Sequence, residues 1–225
     1  MVTNHKDIKA WLDTMHIENY TINDTGTVTV NGDVDISCKG LTEIPVQFRI
    51  SYGNFNCSHN SLESLKGSPR EVGGDFDCSW NNLKSLNGSP QEVGGDFECY
   101  DNGLESLNGS PQEIGGSFYC SYNSLQSLEG SPQEVSGDFE CYDNGLKSLE
   151  GSPREVKGSF YCWNNSLESL NGSPQEVGGD FDCSWNNLKS LNGSPQEVGG
   201  NFYCQRNNFK TILKYDTAIN GQIKC

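Results

Sequence analysis

The chain has 225 residues, with 30 Asp and Glu against 15 Lys and Arg and a formal net charge of −15. That excess of negative charge argues against nonspecific attachment to nucleic acid or to an anionic membrane. No apolar run approaches the roughly 18 residues of a membrane-spanning helix and no basic-then-apolar leader opens the chain, so a cytoplasmic protein is expected.

The first predicted element is a short amphipathic helix over residues 4–16, with Ile8, Trp11, Leu12 and Met15 at helical spacing behind Asn4 as N-cap. Tyr20–Ile22, Thr27–Val30 and Asp33–Ile36 then read as strands joined by turns at Asn23–Gly26 and Asn31–Gly32. Residues 1–33 are expected to cap the open apolar end of the first repeat, with Trp11 buried inside the cap.

Residues 34–212 are a tandem array. Nine cysteines (Cys57, Cys78, Cys99, Cys120, Cys141, Cys162, Cys183, Cys204 and Cys225) stand 21 residues apart, and Cys38 precedes them by 19. Two residues before each comes Phe, from Phe55 to Phe202, and then Ile223 in the last copy. Asn60 through Asn207 follow three residues after Cys, and Leu follows at five and eight, ending in Phe209 and Ile212. The alternation in Phe-x-Cys places both side chains on one face of a short strand. Gly-Ser-Pro and Gly-Gly bend the chain around the back. Cysteines that recur singly, one per turn, fit buried reduced thiols better than a disulfide framework or a zinc site, with Cys225 the one exposed to reaction. Residues 213–225 form the final repeat. Tyr215 and its neighbours would shield that end, whereas a bare strand edge would pair with a second copy as a homodimer.

The repeat Phe-x-Cys-x-x-Asn-x-Leu-x-x-Leu resembles the leucine-rich repeat, with Phe and Cys in place of the first two leucines. The resemblance implies a curved right-handed solenoid with about ten short parallel strands on its concave face, a mostly irregular convex side and a small α/β cap. Residues 20–37 and 41–48 are further similar to short leucine-rich proteins of tailed bacteriophages and other large DNA viruses. That likeness implies a role in the host cytoplasm, binding and inhibiting a host defence or regulatory factor.

Four columns are expected to project from the concave sheet: the residue before Phe, the one between Phe and Cys, and the two after Cys. They hold Trp80, Tyr100, Tyr119, Tyr122, Tyr142, Tyr161, Trp163, Trp185 and Tyr203. Across the eight full copies they also hold Asp75, Asp77, Asp96, Glu98, Asp101, Asp138, Glu140, Asp143, Asp180 and Asp182, against one base, Arg206, and His59. Exposed aromatics ringed by carboxylates suit a protein partner with a basic surface. Two alternatives remain open: a decoy whose carboxylates imitate the phosphates of DNA, and capture of a small cationic or aromatic ligand by Trp80, Trp163 or Trp185. The flat ladder supplies no calcium loop. His5, His16 and His59 make no nucleophile motif with Ser or Cys. The chain is therefore expected to be a binding module and not an enzyme, without metal or cofactor.

Overall fold

The computed structural model describes residues 4–209 and 217–225. Ten two-residue strands stack in parallel and in chain order, from Val34–Asp35 through Phe55–Asn56, Phe76–Asp77 and Phe97–Glu98 to Ile223–Lys224. Each repeat strand is one 21-residue turn from the next, so identical positions face each other: Phe118 pairs with Phe139, and Phe139 with Phe160. The architecture is a leucine-rich-repeat-type solenoid.

The repeat folds this way because each turn cannot bury its apolar face alone. From Phe55 to Phe202 the rings form one stack, with centroids 5.0–5.7 Å apart and planes within 29° of parallel. Burial of each ring contributes about 1.5–3 kcal/mol relative to exposure. The thiols from Cys57 to Cys183 and the leucines at five and eight residues beyond Cys are buried beside the rings. Burial pushes these thiols far above their ordinary range, so they pack as neutral groups. Cys204 and Cys225 occupy the same position of neighbouring strands, with Cα atoms 4.5 Å apart, whereas Cys38 departs from the expected row of buried thiols: Val34 pairs with Phe55, Ile36 takes the buried slot two residues on, and Cys38 is exposed. The glycine of Gly-Ser-Pro has φ between 85° and 104° in every copy from Gly67 to Gly193, a conformation open to glycine at no steric cost.

Asn60 to Asn207 line one edge of the strands. Asn81 accepts the Leu62 N–H at 2.9 Å and donates to the carbonyls of Cys57, Cys78 and Ser79 at 3.1–3.2 Å. The amide thus satisfies backbone groups of two turns at once.

At the start, the helix His5–Thr14 is capped by Asn4, whose side chain accepts the Asp7 N–H. It buries Ile8 and Leu12. Trp11 meets Phe48 edge-on at 6.3 Å, and Phe48 meets Phe55 at 5.1 Å, which joins the cap to the ring stack. Tyr20–Ile22 and Thr27–Val30 form an antiparallel hairpin.

The reverse side is more regular than the sequence suggests. The hairpin continues there through Gln47–Ser51, Glu71–Val72, Glu92–Val93 and Glu113–Ile114 as one sheet of six strands. A second sheet of five runs from Glu134–Val135 to Ala218–Ile219. The two sheets are separate at Ile114 and Glu134. Nearby, a column that is Gly73, Gly94 and Gly115 becomes Ser136; a Cβ at Gly115 would already collide with the Gly94 carbonyl. Parallel pairing of the back strands resumes between Glu134–Val135 and Glu155–Val156. Ile212 and Tyr215 lie outside the described residues.

Candidate functional site on the ten-stranded sheet

The structure sorts the four expected columns into those that hold the coil together and those that face outward. Asp75, Asp96, Asp138 and Asp180, each immediately before Phe, are committed to the backbone. Asp75 accepts the Asp96 N–H at 2.9 Å, Asp96 the Ser117 N–H at 2.7 Å, Asp138 the Ser159 N–H at 2.7 Å and Asp180 the Asn201 N–H at 2.6 Å. Ser117 and Ser159 do the same with their hydroxyls. This is a second structural ladder along the other edge of the strands.

Between Phe and Cys stand Asp77, Glu98, Tyr119, Glu140, Tyr161, Asp182 and Tyr203, all half-buried. Asp77 and Asp182 turn back to accept the N–H of Ser79 and Ser184 at 2.9 Å. Glu98 and Glu140 have one more methylene and make no such bond. Immediately after Cys the residue varies in size: Ser79, Ser121 and Ser184 are buried, whereas Tyr100, Tyr142 and Trp163 are half-buried. Lys224 sits 4.9 Å from the Tyr203 ring.

The next column carries the exposed aromatics. Trp80, Tyr122 and Trp185 are 48%, 47% and 54% exposed, and each has φ of 54°. A bulky residue in this left-handed region costs about 1–2 kcal/mol, which Asn or Asp largely avoids. Asp101, Asp143 and Asn164 occupy the same column with φ of 50–52°. Three turns therefore keep a large ring where a smaller residue would be more stable. The rings touch one another in part: Trp80 stacks on His59 at 5.4 Å, Tyr142 on Trp163 at 4.2 Å, and Tyr122 meets Tyr142 edge-on at 5.4 Å. Arg206 lies over Trp185 at 4.7 Å. Asp143 accepts a hydrogen bond from Asn164.

Trp80, Glu98, Tyr100, Asp101, Tyr119, Ser121, Tyr122, Glu140 and Tyr142 line one depression of about 370 Å³. Glu98, Asp101 and Glu140, the acids of this face that hold no backbone amide or neighbouring side-chain amide among the described residues, all fall in it. Glu98 is held up to about 7, first by burial and then by Asp77, Asp96 and Asp75. Burial likewise raises Asp101 and Glu140 above the ordinary carboxylate range and pushes the Tyr142 phenol up to about 12. A raised carboxyl stabilises the fold in its protonated form, so this contribution of Glu98 is present below 4.5 and is lost as pH climbs through about 7. Glu98→Gln is expected to flatten the fall in stability across that window, read by urea denaturation at several pH values; an unchanged slope would show that Glu98 titrates as it does in the unfolded chain.

Sequence reading missed a further acidic row on the reverse side. Glu92 pairs with Glu113, Glu134 with Glu155, Glu155 with Glu176 and Glu176 with Glu197 in adjacent strands. The recurrent Glu-Val dipeptide was the available signal. Charge is thus shared by both sides, whereas the projecting Tyr and Trp columns belong to the ten-stranded one. Among the described residues no group of three or more His, Cys, Asp or Glu is placed to hold a metal, and no helix is long and apolar enough to cross a membrane.

No protein-family model matches the chain, and no curated protein matches it. Among solved structures it is similar to YopM from Yersinia enterocolitica WA-314, at 18% identity and a TM-score of 0.45, over 85% of this chain and 52% of that one. The chain spans about half the length of that protein.

Proposed function

We propose that the chain is a non-catalytic binding module whose ten-stranded face takes up a protein with a basic surface. The observation that carries this reading is the retention of Trp80, Tyr122 and Trp185 at left-handed backbone positions, half exposed, on a face that also bears carboxylates not tied to the backbone. Large rings in such places oppose stability, and rings next to carboxylates bind Lys and Arg through their faces while the acids pair with the charge. The row between Phe and Cys interrupts its acids with Tyr119, Tyr161 and Tyr203, which suits a protein surface better than imitation of a phosphate backbone. The resemblance of residues 20–37 and 41–48 to phage and large-virus proteins supports a host protein as partner, bound in the host cytoplasm and inhibited by capture.

The test compares two sets of charge reversals. Glu98, Asp101 and Glu140 changed together to Lys alter the face and leave the Asp ladder intact; Glu113, Glu134 and Glu155 changed to Lys alter the reverse side. Proteins captured from bacterial lysate and eluted by salt are expected to persist with the second set and disappear with the first. Equal loss from both sets would overturn the assignment of the face.

A further inference from the structure

We propose that the depression spanning the turns of Cys78 to Cys141 is a subsite for the guanidinium of an arginine side chain, entered between Trp80 and Tyr122 and faced by Glu98, Asp101 and Glu140. It rests on the basic-partner reading and names the group by which that partner is gripped.

Trp80 and Tyr122 occupy one column two turns apart, with Asp101 between them. At ~4.8 Å per parallel strand their backbones are separated by ~9.6 Å. A flat group stacked against both rings needs two contacts of ~3.5–4.0 Å, about 7–8 Å in all, which fits. The chain already makes one such contact internally. Arg206 stands one turn beyond Trp185 in this same column, and its guanidinium lies 4.7 Å from the indole. One turn beyond Trp80 the equivalent residue is Asp101, so a cation on that face of the indole comes from outside the chain. The opposite face of Trp80 is covered by His59.

The polar groups of the depression are chiefly acceptors. Ser121 lines the depression, is 1% exposed, and its hydroxyl has no hydrogen-bond partner. The Tyr142 phenol reaches towards it without the geometry of a hydrogen bond. An unpaired buried hydroxyl is costly, and because this one is closed off beneath Tyr142, an incoming N–H reaches it as the phenol shifts aside. A guanidinium offers five N–H donors in a plane that can stack on an indole and fork between carboxylates, whereas an ammonium offers a point charge. Glu98, Asp101 and Glu140 are all raised above their ordinary range, and a cation among them would reverse each shift.

The probe is N-acetyl-arginine N-methylamide, titrated into the full chain while the indole N–H signals are followed by NMR. The Trp80 signal is expected to move and the Trp185 signal to stay. The neutral isostere, the citrulline derivative, is expected to bind at least ~10-fold more weakly, as is the arginine probe to the double variant E98Q/D101N, because charge-assisted hydrogen bonds are lost in each case. Asn keeps the left-handed position of Asp101 accessible, and an unchanged circular dichroism spectrum confirms that the variant is folded. Equal binding of the citrulline probe, tighter binding of the lysine derivative, or movement of Trp185 in place of Trp80 each overturns the subsite. No arginine binding, with the lysate partner still lost on face reversal, sinks the subsite and leaves the binding module standing; loss of both results removes the face as well.

Discussion

Phe139→Ala is expected to destabilise the solenoid by about 3–5 kcal/mol, the cost of emptying a buried aromatic site. Phe139 is fully buried and lies between Phe118 and Phe160, with both centroids at 5.3 Å and planes within 8° of parallel. The strands on either side are held in register by the backbone, so neighbouring rings cannot close the gap without breaking the N–H ladder from Phe118 to Asp138 and from Phe139 to Ser159. In a stack of turns that touch only their neighbours, a hole in the middle weakens two interfaces. Urea unfolding should show a lower midpoint, and a broadened transition as the turns on either side of residue 139 begin to unfold apart. Phe202→Ala, one turn from the end of the sheet, should cost less and leave the transition sharp. A loss under about 1 kcal/mol at Phe139 would mean that the ring stack collapses onto the vacancy, contrary to the tight packing of interiors.

Asn186→Ala is expected to cost about 3 kcal/mol. Asn186 is 6% exposed, accepts the Leu167 N–H at 3.0 Å and donates to the carbonyls of Cys162, Cys183 and Ser184 at 3.0–3.2 Å. Alanine leaves a buried N–H and several carbonyls without partners, and each buried orphan costs about 1–3 kcal/mol, partly relieved by water at the strand edge. The adjacent Asn187 is exposed, and Asn187→Ala should fall within about 0.5 kcal/mol of the parent. Comparable losses at the two positions, measured by denaturant titration, would show that the amide ladder contributes no more than a solvent-facing amide does.

The period made the solenoid legible, because one Cys every 21 residues fixes where each strand, each ring and each Asn must recur. Asn4 and the apolar spacing of the first helix were equally readable. The back strands were not: from Glu71–Val72 onward each is two residues long, too short for alternation to show, and their pairing depends on the turn before and the turn after. A carboxylate in an outward column looks free in sequence, which is why the acids before Phe resemble a binding surface there. Their column nevertheless contains only Asn54, Asp75, Asp96, Ser117, Asp138, Ser159, Asp180 and Asn201. All are short acceptors, the mark of side chains that cap a neighbouring amide. The next column holds a similar rule, since Asp77 and Asp182 precede serines by two residues and Glu98 and Glu140 precede tyrosines. The shorter acid reaches its own backbone and the longer one does not, so the depression is drawn by a difference of one methylene.

The reverse side is divided where Ile114 ends one sheet and Glu134 begins the next, yet the Gly137 N–H still reaches the Gly116 carbonyl at 2.8 Å, so the turns stay joined on both sides there. The junction falls between the turns that present Trp80 and Tyr100 and those that present Tyr122 and Tyr142, so the parallel pairing of Phe97–Glu98 with Phe118–Tyr119 on the front sets the spacing of these rings. The depression thus straddles the seam at which pairing of the back strands is interrupted between the two reverse sheets.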